Sequence, residues 1–393
     1  MTGAPIPRIS VLTSALVFGI CVLQAAPSLD TWATRVMDPP PRDVAYGAGL
    51  FVTTTDVIAT SPDSECWTRR PLERLFYDLR GGVVYASGIF VAVGQGSAYV
   101  SSNGISWLRT ADVPRSIHRV AFGEGIFLAV GQNVFATSTD GVHWTTHTPT
   151  NSADDIYLTG AAFGNGKWVL SGYYFAPNTN GGLVLVSTNL SDWATVKTAA
   201  ASFLNGVVYG QETFVAIGPS ILTSQDGLQW TSRLTVGTPN QLRAATFADG
   251  TFVAVGLQGS VLSSTNAIDW TTHTITNFPS FTQYEGVTYG NGSFVIVGAV
   301  NTAATRGIAL QSGGRPQLCL EWIGSALPFD PRISLWVYAE LNHDYRLQSS
   351  PVMPPVWTTV TNYNPGGGYP TRFRITDPNT PTGSALFYRV ISP

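Results

Sequence analysis

The residues of this chain that could do chemistry are few, and most stand at one repeated offset. Two places ahead of a recurring apolar phrase the copies read Arg42, Gly81, His118, Thr159, Asn205, Arg243 and Glu285, and one place later come Asp43 and Arg119. Arginine, histidine, asparagine and carboxylates gathered at one channel mouth could hold a polar ligand through charge-assisted hydrogen bonds. A second candidate is the triplet Tyr173-Tyr174-Phe175, which falls in the longest interval between repeats and could offer an aromatic platform. Other signals are missing. His143 and His147 are four apart, which on a strand is about 13 Å, too far to share one metal ion. No nucleophile elbow, P-loop or dinucleotide fingerprint occurs. We therefore assign no catalytic residue and expect neither metal nor cofactor.

These side chains need elements to position them, and composition says which kind. Lysine is confined to Lys167 and Lys197, while Thr, Ser, Gly and Val dominate. Long amphipathic helices draw on Ala, Leu, Glu and Lys, so the chain is all-β. A net charge of −3 with 11% charged residues leaves no basic footprint, which excludes nucleic acid as partner. An aromatic content of 11% excludes disorder.

The pattern that organises the chain is self-similarity. The phrase Val44-Ala45-Tyr46-Gly47-Ala48-Gly49-Leu50-Phe51-Val52 recurs at 83–93, 120–130, 161–170, 207–217, 245–255 and 287–297. Each copy is two apolar strands, A and B, around a Gly-containing turn. A second phrase follows six of the copies and ends in Trp67, Trp107, Trp144, Trp193, Trp230 or Trp270. Six residues before each Trp stands a serine, and four before it Asp63, Asn103, Asp140, Asn189, Asp226 or Asn266. The Asx side chain can bind backbone N–H groups and set a turn between strands C and D, with Gly104, Gly141 and Gly227 supplying positive φ. Six equivalent copies make turn formation, not catalysis or calcium binding, the role of these residues.

Seven units of four strands predict a seven-bladed β-propeller over residues 27–315. The seventh unit reaches strand C at Ile308-Ala309-Leu310-Gln311-Ser312 and then lacks its Trp strand. The missing strand lies at the other end, where Asp30-Thr31-Trp32-Ala33-Thr34-Arg35 is similar to Asp269-Trp270-Thr271-Thr272. The N-terminal strand should therefore complete the last blade and close the ring.

On these residues the chain resembles the Asp-box (BNR-type) repeat propellers, which include sialidases, sortilin-like receptors and photosystem II assembly factors of the Ycf48 type. Its turn, as in Ser138-Thr139-Asp140-Gly141-Val142-His143-Trp144, is one residue shorter than the usual Asp-box. The resemblance implies the fold and leaves function open, since both enzymes and non-enzymes carry the repeat. A sialidase-like hydrolase would need three arginines, a Tyr–Glu nucleophile pair and an acid. Arg42, Arg119 and Arg243 could supply the first, but Tyr284 and Glu285 are adjacent and would point to opposite faces of a strand. Residues 316–393 break the period and read as a small antiparallel β-sandwich-like module, similar to C-terminal modules of exported proteins from Verrucomicrobia-type bacteria.

The N-terminus supports export. A charged start, an apolar run over residues 9–25 and small residues at Ala25-Ala26 have the form of a signal peptide, residues 1–26. The mature chain is then expected to be secreted, periplasmic or at the cell surface, monomeric, and without a membrane span. Cys66 and Cys319 would remain in it and could form one disulfide. Extra length in the intervals 148–158 and 172–182, and again at 69–80, 275–284 and 299–307, is read as long loops on one face, the top. The expected function is recognition of a glycan or an extracellular protein through that face. The alternative is a glycoside hydrolase or lyase acting in the channel.

Overall fold

The computed structural model describes residues 28–313, apart from positions 56, 95 and 178 and the stretches 71–80, 150–153, 199–202, 238–240, 276–281 and 301–305, together with six strands between residues 319 and 391. The signal-peptide segment 1–26 lies outside the described residues, as do Phe76, Tyr77, Phe278 and Phe281 of the expected top-face loops.

Seven four-stranded antiparallel sheets follow one another as blades. Blade 1 shows the pattern: A Asp43–Gly47, B Leu50–Thr54, C Ile58–Ser61 and D Thr68–Arg70, paired in sequence order. The A strands of successive blades pack side by side in a closed cycle, so they line the axis. Blade 7 takes A Thr282–Gly290, B Ser293–Val300 and C Arg306–Ser312 from one end of the chain, and its outer strand, Trp32–Met37, from the other. Trp32 pairs with Ser312 and Met37 with Gly307, which closes the ring as expected and leaves no open edge at the seam.

The repeated turn is built as the sequence implies. In all six copies the serine hydroxyl bonds the Asx Oδ1, at 2.8 Å for Ser61–Asp63 and 3.0 Å for Ser138–Asp140. That Oδ1 also accepts two backbone N–H groups, as from Val142 and His143 at 2.8 Å each. The indole N–H of each Trp donates to the carbonyl three residues back, and Trp32 does the same to Leu29 O at 2.8 Å, which identifies it as the seventh copy. The φ > 0 position is held by Gly104, Gly141 and Gly227 at +71°, +72° and +77°, and elsewhere by Ser64, Leu190 and Ala267.

The apolar core is divided into seven packets, one at each seam between neighbouring blades. Each Trp belongs to such a seam rather than to its own sheet alone: Trp193 of blade 4 meets Phe135 of blade 3 edge-on at 5.2 Å. At the bottom of the A strands an aromatic of one blade covers a glycine of the blade before it. Tyr85 lies on Gly47, Phe163 on Gly123, Tyr209 on Gly164, Phe247 on Gly210, and Tyr46 on Gly290 across the closing seam. A Cβ at any of these glycines would stand 2.0–2.2 Å from the aromatic side chain above it. The A-strand Tyr/Phe-Gly dipeptide of the repeat is thus a wedge and socket joining blades.

The closing seam is reinforced further. Arg35 of the N-terminal strand forms an ion pair with Glu65 of the blade 1 turn at 3.2 Å, with the side chains only 5% and 6% exposed. Cys66, next in sequence, is disulfide-bonded. The Cys319 side chain, its expected partner, lies outside the described residues.

After the ring come two three-stranded antiparallel sheets. One is built from Cys319–Ile323, Ser334–Ala339 and Thr371–Thr376, the other from Tyr345–Ser350, Thr358–Tyr363 and Phe387–Ile391. Five of these strands match apolar segments visible in the sequence. Cys319–Ile323 is the sixth, a strand not read from the sequence.

Candidate functional site

The polar ring expected at the top of the A strands exists, and three of its members owe their direction to β-bulges. The register slips between Leu158 and Gly160, between Leu242 and Ala244, and between Tyr284 and Gly286, which leaves Thr159, Arg243 and Glu285 unpaired. A bulge re-aims one side chain without ending the strand.

Most of the ring, however, stitches blades together and is not free for a ligand. Thr159 Oγ1 donates to Leu204 O at 2.7 Å, and Asn205 Nδ2 to Leu242 O at 2.7 Å, each reaching one blade onward. Arg119 of blade 3 pairs with Asp43 of blade 1 at 3.4 Å and donates to Glu285 O of blade 7 at 3.3 Å. Arg42 faces Glu285 at 3.9 Å. His118 Nδ1 lies 2.9 Å from Ser116 O, and burial pulls its pKa down. Burial pushes the Asp43 pKa up; the Arg119 guanidinium and the N–H groups of Val83 and Val44 counter part of that shift. The sequence expectation of an open mixed ring is corrected accordingly: neighbouring blades supply carbonyls and opposite charges that no single-strand reading contains.

Of the groups a sialidase-like hydrolase would need, Arg42 and Arg119 are each engaged with a carboxylate, and Tyr284 is fully buried while Glu285 lies by Arg42.

Arg243 differs from the others. Its Nε is buried without a hydrogen-bond partner, and no ion pair or hydrogen bond is made by its guanidinium among the described residues. Its field acts on Tyr173 of blade 4: burial raises the Tyr173 pKa, Tyr157 adds to the rise, and Arg243 opposes it.

Among the described residues, most of the extra length of blade 4 is strand rather than loop. A runs Asp155–Gly164, B Lys167–Ala176 and C Thr179–Ser187, so the sheet rises above the ring and turns tightly at its tip. In blade 7, Thr282–Tyr284 and Ala299–Val300 are strand as well. This divides the aromatic triplet by simple alternation. Tyr173 and Phe175 share the sheet face opposite Tyr174, toward Phe203 of blade 5, with Phe175 42% exposed. Tyr174 is 7% exposed in the core between blades 3 and 4, with the Lys197 ammonium 4.0 Å from its ring centroid. It is removed from the candidate site.

Two residues not singled out from the sequence join the shelf. Tyr157 stacks on Tyr173 at 5.0 Å and 12°, and Phe203 of the next blade packs on Tyr173 at 4.7 Å and on Phe175 at 5.7 Å. Tyr157 is held by Gln132 Nε2, which donates to its hydroxyl at 2.9 Å, and the two residues also form an isolated bridge. Tyr157 could have been found by pairing the extended strand A against strand B. Phe203 could not, since its contact crosses from blade 5 to blade 4.

Two other arrangements invite a chemical reading. Ser263 Oγ lies 2.7 Å from His273 Nε2, and His273 Nδ1 lies 3.1 Å from Asp30 Oδ1, the order of a serine triad. The same cross-strand position is filled by His147 on Thr137, Arg70 on Thr60 and Arg233 on Thr223. It is a recurrent tie between strands C and D, with Asp30 added where the N-terminal strand arrives. On the opposite face, a polar groove of 470 Å³ between the turns of blades 5 and 6 is lined by Asp226, Gln229, Arg233 and Ile268. Its Asp226 Oδ1 is committed to the turn through Leu228 N and Gln229 N, each at 2.8 Å. Among the described residues no cluster of three or more His, Cys, Asp or Glu could hold a metal ion, and no helix is long and apolar enough to cross a membrane.

No protein-family model matches the chain, and no curated protein does. Solved structures do match by shape. A structure described as YCF48 bound to D1 peptide is 14% identical, with a TM-score of 0.55 over 74% of this chain and 98% of its own. YCF48 from Cyanidioschyzon merolae is 12% identical, with a TM-score of 0.52 over 72% and 98%. The WD40 propeller domain of Doa1 is 13% identical, with a TM-score of 0.52 over 70% and 95%. At these identities the likeness is one of fold: a seven-bladed propeller, as the repeat count requires.

Proposed function

We propose that this chain is an exported binding propeller that recognises an extracellular partner through the top of blades 4 to 6. The observation that carries this reading is the shelf of Tyr157, Tyr173, Phe175 and Phe203 raised above the ring beside Arg243. Rigid, partly exposed aromatic groups at the rim of a fixed scaffold are well suited to recognition. A protein partner is favoured over a glycan. Two of the four rings are phenyl groups, and one tyrosine hydroxyl is already bonded to Gln132, so a sugar would meet few polar groups. The YCF48 structure with a bound peptide is a precedent for the fold. The apolar run before residue 26 supports export.

The test is binding of the purified protein to arrays of synthetic peptides and of glycans, compared with a Tyr173→Ala/Phe175→Ala variant. Tyr174 is left intact because its loss would damage the core. Peptide signals that fall at least about tenfold in the variant, with unchanged thermal unfolding, support the reading. Equal signals from both proteins, or signals confined to glycans, refute it.

A further inference from the structure

A half-buried guanidinium without a counter-charge is unfavourable unless something completes it. Every other charged member of the ring has such a partner: Asp43 for Arg119 and Glu285 for Arg42. Arg243 has none among the described residues; the bulge takes it out of the strand register, and its backbone lies against Gly206, three residues after Phe203 of the shelf. The planar guanidinium fork matches a carboxylate with two parallel N–H···O bonds. Beside it, Phe175 and Phe203 meet at 5.7 Å and Tyr173 and Phe175 at 5.7 Å, with rings edge to face. That arrangement suits insertion of another aromatic side chain.

We infer that Arg243 and the shelf form a two-part subsite for a peptide segment of the partner, one in which a carboxylate lies beside an aromatic side chain. The inference rests on the binding reading above and specifies its ligand. Arg243 binds the carboxylate, and Tyr173, Phe175 and Phe203 take the ring.

The probes are N-acetyl-phenylalanine, which has both groups in their smallest form, and its amide, which keeps the ring and loses the charge. Each is titrated against the full purified chain by ligand-observed NMR. The acid is expected to bind about tenfold or more tightly than the amide. Arg243→Gln should abolish that preference by weakening the acid far more than the amide, Arg243→Lys should keep part of it, and Phe175→Ala should weaken both probes. Equal binding of acid and amide, a preference that survives Arg243→Gln, or no binding of the acid at millimolar concentration overturns the inference. So does binding of a glucuronate oligosaccharide with the same Arg243 dependence while N-acetyl-phenylalanine fails. If peptide-array binding needs the shelf but ignores Arg243→Gln, the carboxylate subsite falls and the binding function stands.

Discussion

Replacing Gly164 with alanine tests the wedge-and-socket account of the ring. The new Cβ would lie 2.2 Å from Cγ of Tyr209, where ordinary contact begins near 3.4 Å, so the ring must withdraw by about 1.2 Å. Tyr209 has little room, because it packs on Phe214 with centroids 4.6 Å apart, inside the seam between blades 4 and 5. Overpacking of this kind costs about 1–3 kcal/mol. Gly164 does not have positive φ, so alanine suits its backbone and by itself would stabilise by about 0.4–1 kcal/mol. The expected net loss is about 1–2 kcal/mol, read from urea midpoints at constant slope. Ala86 and Ala248 occupy the same repeat position in blades 2 and 6, so a methyl group is tolerated where the seam leaves space. Ala248→Gly should then cost only about 0.5–1 kcal/mol, through backbone entropy. A Gly164→Ala variant as stable as the parent would refute the claim that the aromatic sockets set the blade spacing.

Three further outcomes are expected. Glu65→Ala should destabilise the ring, because it removes the carboxylate paired with a buried guanidinium, and Arg35→Met/Glu65→Leu should recover much of the loss in the same urea assay. Backbone N–H groups hold the Asp226 carboxyl below its usual pKa; the His143 side chain and backbone do so for Asp140; at Asp63 the N–H groups of Cys66 and Glu65 outweigh the opposing effect of burial. Their stabilisation is complete above the unfolded value of about 4 and is lost as pH falls through the depressed folded values. Asn already fills the position in blades 2, 4 and 6, so Asp63→Asn/Asp140→Asn/Asp226→Asn should fold and show a shallower acid-unfolding curve. Finally, peptide mapping of the purified protein without reductant should join Cys66 to Cys319; a link to Cys21 would contradict the proposed removal of the N-terminal segment.

The fold was legible because it is written seven times. Ser-x-Asx ahead of Trp forces one turn wherever it occurs, and the unmatched strand at each end of the chain forces the closure. The site was legible only as positions. The offset of Arg42, His118, Asn205, Arg243 and Glu285 located the mouth, but what each side chain touches depends on the next blade, and a repeat read one copy at a time contains no such neighbour. Tyr174 was misplaced for a more local reason. An interval longer than its siblings was read as loop, whereas Tyr173-Tyr174-Phe175 continues strand B, and period-two alternation alone would have turned the middle residue inward. Phe203 needed the structure, since nothing in its own segment marks it.

The Trp32–Met37 strand has a consequence for how the molecule is made. It precedes every other strand of the ring, yet its sheet neighbour among the described residues, Arg306–Ser312, emerges after every other blade has been synthesised. Until then it is a bare apolar edge, and blade 7 cannot exist. Six blades can form in order as the chain appears, each on the seam of the last, while the opening segment waits. The two ends then meet across almost the whole ring, a pairing of high sequence separation that carries a loop-closure cost. A chain cut short before Ser312 would leave that joint open.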